Sequence, residues 1–379
     1  MPADLIRIRR IDAWSFRAPT PEPVATSFGT MRDRPAVFLR LEDADGAFGW
    51  GEVFANWPVA GAEHRVNLLA DDIADLVLAW EGAEPADLFD HLTQRTHIRA
   101  LQCGEWGPFR QVVAGLDIAM TDLAARRVGV SVASHLGAAR EAVPAYASGI
   151  PVAKGAHTVA DLPQHRAFKV KIGFDRSGDL SGLHETSAAL PDGAQLFMDA
   201  NQAWDVGKAE AILAEAAPFS PGWIEEPIPA DAPMADWRRL AEGPVPLAAG
   251  ENIAGETDFA ATLASGHLAF VQPDIMKWGG FTGLKRVAAM ARESDTTLCP
   301  HYLGGGIGLT ASAHLLAAIG GNGLLEVDVN PNPLRDAFET ACSRVEAGLF
   351  HLASGTGLGI EELPRTIATM RTHHRSRQT

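Results

Sequence analysis

The chain has 379 residues, enough for two or three average domains or for one large barrel with an attached lobe. Hydrophobic residues make up 46% and charged residues 21%, which excludes a disordered chain. A formal net charge of −15 argues against a general affinity for nucleic acid or anionic membranes, and raises the question whether some of the acids are gathered around a cation.

The opening stretch, MPADLIRIRRIDAWSF, alternates charged and apolar residues at a period of two and has no apolar run of the signal-peptide kind, so it reads as a first strand. AVFLRLED and AFGWGEV flank Asp45-Gly46, a hairpin signal. Helical patterns follow near residues 62–80, 86–102 and 109–127. The last carries Val112, Val113, Leu116, Met120 and Leu123 on one side and ends in a basic turn before Gly129. Residues 1–130 therefore predict an α+β lobe. Cys103, Cys299 and Cys342 are odd in number and unpaired by spacing, which argues against a disulfide framework or thiolate zinc site and fits a reducing, cytoplasmic setting.

From about residue 145 short β-branched or apolar runs alternate with helical stretches: AYASGI, FKVKIG, LFMDA, WIEEP, LAAGE, FVQPD, TLCPH and LLEVD. Eight such units predict parallel βαβ connections closing into a barrel. An open doubly wound sheet is the alternative, but no GxGxxG turn follows an early strand. The segment from Thr296 to Leu325 has no charged side chain and is long enough to span a bilayer; its glycines, Pro300 and two histidines predict a buried loop and helix instead.

Seven successive runs finish in an ionisable residue: Lys171, Asp199, Glu225, Glu251, Asp274, His301 and Glu326, at spacings of 28, 26, 26, 23, 27 and 25 residues. In a parallel barrel all strand C-termini open at one mouth, where such barrels do chemistry. Asp199, Glu225 and Glu251, on adjacent strands, would repel one another unless a hard divalent cation lay between them. An all-oxygen donor set suits Mg2+, or Mn2+, better than zinc. Lys169 and Lys171 alternate on one strand and so share a side. Each would lower the other's pKa and make one a candidate base. Asp274 beside His301 would fix the imidazole tautomer for proton transfer. Glu326 could donate a hydrogen bond to a developing enediolate if its pKa were raised.

With KxK, DAN, EEP, GE, PD and PH in this order, nearly the whole chain resembles the enolase superfamily, most closely the mandelate racemase subgroup. The resemblance implies a modified TIM barrel, (β/α)7β, over residues 131–335, an α+β capping domain over 1–130, and a segment 336–379 packing back on the cap. It implies Lys171 as a base on one face with Lys169 holding the substrate carboxylate, Asn201 as a substrate contact, and Asp199, Glu225 and Glu251 as magnesium ligands. It further implies Asp274–His301 as the dyad and Glu326 as the hydrogen-bond donor.

Substrate choice in this family sits in two loops of the cap, here PTPEPVATSFGTMRDR and EVFANWPVAGAEHR. Thr26 and Ser27 beside Phe28, followed by Arg32 and Arg34, do not make the apolar lid an aryl substrate would need. The expectation is a polyhydroxylated acid that loses its α-proton and a β-oxygen substituent, as in an acid-sugar dehydratase or a cycloisomerase of a sugar lactone. The GWGE segment and the PNPLR run are similar to galactarolactone cycloisomerases. Racemisation or epimerisation of a 2-hydroxy acid is the alternative chemistry. A non-catalytic metal-binding barrel would be expected to break at least one of the strand-end positions, and none is broken. A small-molecule carboxylate and a homo-oligomer, dimer or octamer, are the expected partners.

Overall fold

The alternation of Ile6 and Ile8, buried, with Arg7 and Arg9, exposed, gives the strand Ile6–Thr26 one apolar face. In the computed structural model, which describes residues 5–26, 29–138, 140–173, 175–338 and 345–379, it lies inside an antiparallel sheet. The order is Arg371–Gln378, Ile6–Thr26, Gly29–Asp43 and Phe48–Val53. The hairpin turns at Gly46, φ 87°, with the Asp43 carboxylate accepting the N–H groups of Asp45 (3.0 Å) and Ala47 (2.8 Å). Helices Pro85–Cys103 and Trp106–Arg127 cover this lobe. Gly49 and Gly51 allow the second of them to lie directly on the sheet: a Cβ at either would stand 2.0 or 2.1 Å from a helix carbonyl.

Among the described residues eight parallel strands follow: Ala142–Pro151, Ala167–Lys171, Gln195–Asp199, Ile224–Glu225, Leu247–Ala249, Phe270–Val271, Thr297–Leu298 and Leu325–Asp328. Each of the first six pairs with the next in sequence, and the eighth returns to the first with Glu326 opposite Tyr146. Among the described residues seven α-helices connect them, the last being Gly306–Ile319, whose buried apolar residues explain the uncharged stretch seen in the sequence. This is the modified TIM barrel, (β/α)7β, with an N-terminal α+β cap. Among the described residues no ladder joins the seventh and eighth strands; the Leu324 N–H to Cys299 Sγ contact (3.4 Å) spans the seam. The barrel floor is filled by Tyr146, Phe197 and Trp223, the last two stacked at 3.6 Å.

The C-terminal segment divides. Arg371–Gln378 pairs with Ile6–Thr26 of the cap, whereas Val345–Glu346 and Leu349–His351 form a hairpin on the barrel strand Ala142–Pro151. That strand is the longest of the eight, and its leading end offers unpaired backbone groups that the hairpin satisfies. Among the described residues no helix is long and apolar enough to cross a membrane. Cys103 and Cys299 are free thiols, and Cys342 lies outside the described residues.

Candidate active site

Strand register brings the strand-end residues together. Lys171 is the ladder partner of Asp199, and Asp199 of Glu225, so the three form one row across three strands at the barrel mouth. Glu251 follows the fifth strand by two residues, and Asp274 bridges to His301 between the sixth and seventh. Directly after the carboxylates the backbone of Asn201, Gln202 and Glu226 turns through positive φ (45°, 64° and 38°), and the first two line the cavity over the mouth.

Lys171 donates to Asp199 Oδ2 (2.9 Å) and to Asn201 Oδ1 (2.7 Å). Burial works to lower its pKa, as does Lys169, but Asp199 and Glu225 together outweigh them, so the pKa is raised above its ordinary value. His301 Nδ1 meets Asp274 Oδ2 at 2.8 Å and its Nε2 meets Glu251 Oε2 at 2.7 Å. Asp274 is itself oriented by the N–H of Met276 (2.8 Å). Burial lowers the imidazole pKa and the facing carboxylates, Glu251 first, raise it well above the usual value. In the same pair Glu251 is held well below the carboxylate range against its own burial.

Two expectations are corrected here. Lys169 works to lower Lys171, but neither lysine ends below its ordinary pKa: Lys169 is 1% exposed and lies 2.6 Å from Glu225 and 2.7 Å from Glu326, and these acids overcome burial to raise it well above its ordinary value. It stands behind the cavity lining, where its ammonium pairs with both Glu225 and Glu326. The Glu326 pKa, expected to be raised, is instead drawn down. Two carboxylates share one ammonium, and their pKa values separate. Burial raises Glu326, but Lys169 and His301, with the Ser148 hydroxyl, bring it down to about 2. Glu225 is pushed up to about 7 by burial, against Lys169, and by the charges of Asp199 and Glu326.

Among the described residues no group of three or more Asp, Glu, His or Cys side chains stands close enough to hold a cation as it is. Each expected ligand is turned to a cationic side chain instead: Asp199 to Lys171, Glu225 to Lys169, and Glu251 to His301. The donor chemistry still suits a hard divalent ion: three oxygen-only side chains, all buried or nearly so, sit at adjacent strand ends.

A cavity of about 380 Å3 opens over this mouth. Lys171, Asp199, Asn201, Glu251, His301 and Glu326 line it from the barrel, and Met31, Arg34, Phe54, Asn56, Trp57 and Gln111 from the cap. Glu225, Lys169 and Asp274 stand behind this lining. The sequence reading missed the amides. Gln202 is anchored through Oε1 to the Ala230 N–H (2.8 Å), Gln111 through Oε1 to Arg65 (2.8 Å), and Asn330 through Nδ2 to Asp328 (2.8 Å). It also missed Asp328, which binds Arg34 at 2.9 Å with both side chains buried; its place two residues after Glu326, on the same face of the strand, was the available signal. Arg34 is thus tied to the barrel rather than standing at a strand edge. Ser27 and Phe28, and the side chain of Thr26, on which the polar-lid expectation rested, lie outside the described residues.

A family model described as "Mandelate racemase / muconate lactonizing enzyme, N-terminal domain" matches residues 10–137, and one described as "Enolase C-terminal domain-like" matches residues 151–364. The chain is 28% identical over 349 residues to D-galactarolactone cycloisomerase of Agrobacterium fabrum, covering 86% of this chain and 89% of that one. It is 28% identical over 311 residues to D-galactonate dehydratase of Pectobacterium atrosepticum, covering 76% and 78%. Among solved structures, a mandelate racemase/muconate lactonizing enzyme from Bordetella bronchiseptica superposes with a TM-score of 0.89 at 42% identity, covering 97% of this chain and all of that one. A racemase from Streptomyces coelicolor with bound magnesium gives 0.85 at 25% identity, covering 96% and 100%.

Proposed function

The chain belongs to the mandelate racemase/muconate lactonizing enzyme group of the enolase superfamily, and from that premise we propose that it removes the α-proton of an acid sugar or its lactone and expels a β-oxygen substituent. The observation that carries this reading is the cavity wall: Lys171 and His301, two groups able to move a proton, flank the Asp199–Glu225–Glu251 arc in barrel order. Relatives that act as a cycloisomerase and a dehydratase of sugar acids support the substrate class, and the anchored amides of Gln111, Gln202 and Asn330 suit a chain of hydroxyls.

In this reading Asp199, Glu225 and Glu251 would hold Mg2+, with Mn2+ able to replace it. When bound, the cation supplies positive charge beside the substrate carboxylate and a counter-charge for the acids that Lys171 and His301 now face. The side chains do the rest. One of Lys171 and His301 takes the α-proton; the C–H electron pair moves into the carboxyl-conjugated bond; the β C–O bond breaks; and the departing oxygen receives a proton from His301, set by Asp274. Loss of water gives a 2-keto acid after tautomerisation, and loss of a ring oxygen opens the lactone or anhydro ring. Lys169 keeps Glu225 and Glu326 in place from below. Asn201 orients Lys171.

The test is incubation in deuterated water with Mg2+ and a panel of mono- and diacid sugars and their lactones, followed by NMR. A 2-keto product with deuterium at the former β-carbon, where the enol takes its proton from solvent, is expected. Exchange with inversion and no such product would replace elimination by racemisation. Independently, saturating Mg2+ at about 100 times its Kd should raise the unfolding free energy by about 2.7 kcal/mol, and Glu225→Gln should remove that gain.

A further inference from the structure

We propose that Glu52, a residue of the cap, is a positioning residue for His301; the inference rests on His301 being a proton-transfer group. Glu52 stands on the strand Phe48–Val53 and is 1% exposed. Its two carboxylate oxygens accept the N–H groups of Gly305 (2.5 Å) and Gly308 (2.7 Å), at the start of helix Gly306–Ile319. A helix start is ordinarily capped by a neighbouring residue in the chain. Here the cap comes from 253 residues away, in the other domain, and on the strand that leads directly into Phe54, Asn56 and Trp57 of the cavity wall.

Between His301 and that helix the chain reads Tyr302-Leu303-Gly304-Gly305, a sequence with little conformational preference of its own. External groups hold it at each step. The Tyr302 N–H donates to Glu326 (3.0 Å) and the Tyr302 hydroxyl to the carbonyls of Gly304 (2.6 Å) and Gly305 (2.9 Å). The Leu303 carbonyl accepts from Asn56 of the cap (3.0 Å), and the Gly304 carbonyl from Asn332 (2.9 Å). Glycine leaves the room this contact needs: a Cβ on Gly305 would fall 2.7 Å from the Phe38 ring and 3.0 Å from Glu52 Oε1, and one on Gly308 2.1 Å from Met276 Sδ and 3.2 Å from Glu52 Oε2. Glu52 closes the far end of this run, so the seating of the cap and the placement of the His301 imidazole are one structural event.

The Asp117 carboxylate gives a matched control. From the cap helix Trp106–Arg127 it holds the start of another barrel helix, Gly280–Glu293, through the Thr282 N–H (3.0 Å) and hydroxyl (2.6 Å). The experiment compares Glu52→Gln and Asp117→Asn by amide hydrogen exchange, thermal unfolding and steady-state kinetics. Glu52→Gln should speed exchange of the 302–308 amides about tenfold while leaving 280–293 unchanged. On the sugar acid the enzyme turns over, kcat should fall about 100-fold with KM within about threefold. Asp117→Asn should lower Tm by a similar amount and leave kcat unchanged. Unchanged protection of 302–308 in Glu52→Gln, acceleration spread evenly over both helices, or an equal kcat loss in the two variants would overturn the proposal. If Glu52→Gln does not fold, Glu52→Asp, whose shorter side chain cannot reach both amides, is read by the same criteria. If no acid sugar is turned over, the proposed reaction fails, and the exchange data alone then decide whether Glu52 fixes this loop.

Discussion

The two sides of the cavity are built differently. Lys171 takes its partners from the strand next to its own, Asp199 in the same ladder row and Asn201 two residues on. His301 is held by Asp274 and Glu251 from two other barrel units, and the run that follows it is held by Glu52 and Asn56 of the cap, by Glu326 and by Asn332. The lysine side is a consequence of parallel register, which repeats unit by unit. The histidine side sits at the seam where the seventh and eighth strands are not laddered together, and it is completed by contacts between domains.

Four measurements would break or sharpen that contrast. The largest effect is on catalysis. Lys171→Ala and His301→Asn should each lower kcat about 1,000-fold, and one of the two should keep α-proton exchange in deuterated water, which identifies the base. Full rate in both variants would remove the two-sided site altogether.

The next concerns the cap-to-barrel tie. Arg34 and Asp328 are buried together at 2.9 Å, so Asp328→Asn leaves an uncompensated guanidinium and should cost about 3–5 kcal/mol in urea unfolding. Replacing both partners by Met and Leu should recover most of that loss. A cost under about 1 kcal/mol, the range of an exposed pair, would mean that the cap is held by its apolar contacts alone.

A smaller effect should appear with acid. His314, on the helix that Glu52 caps, is fully buried with Nδ1 accepting the Ala133 N–H (3.0 Å), and burial holds its imidazole down at about 4. Its folded pKa lies below the unfolded value, so the unfolded state binds the extra proton. Its contribution is complete above about pH 6.5 and is lost as pH falls towards 4, by about 3 kcal/mol at most. His314→Gln should flatten that acid limb of stability, and an unchanged limb would assign it to other groups.

The smallest belongs to the lysine side. Asp205 caps the helix Val206–Ala216 through the Lys208 N–H (2.8 Å), and Asp205→Ala should cost about 1 kcal/mol with no change in kcat. A kcat loss there would show that the lysine side is less self-contained than its register suggests.

The fold was legible because hydrophobic runs repeated with a period of one βα unit, and Asp45-Gly46 marked its hairpin for a local stereochemical reason. The strand-end residues were legible for the same reason: Lys171, Asp199 and Glu225 share a row because adjacent parallel strands keep a common phase. The direction of the pKa shifts was not legible: carboxylates outweigh the mutual repulsion of the lysines, and three donors, Lys169, Ser148 and the Tyr302 amide, reach Glu326 from separate parts of the chain. Asp328 and Glu52 were in plain view as letters, but their partners lie 294 and 253 residues away.

The sequence by itself determined the barrel, its cap and which ionisable side chains end the strands, since all of these follow from short-range periodicity and residue type. Only the tertiary structure decided which charges share the same dehydrated space, and therefore that Glu225 rather than Glu326 is pushed towards neutrality, that Lys169 is a buried clamp, and that the run after His301 is secured from the cap. Burial and charge pairing act between groups brought together from distant parts of the chain, and no local pattern encodes that proximity.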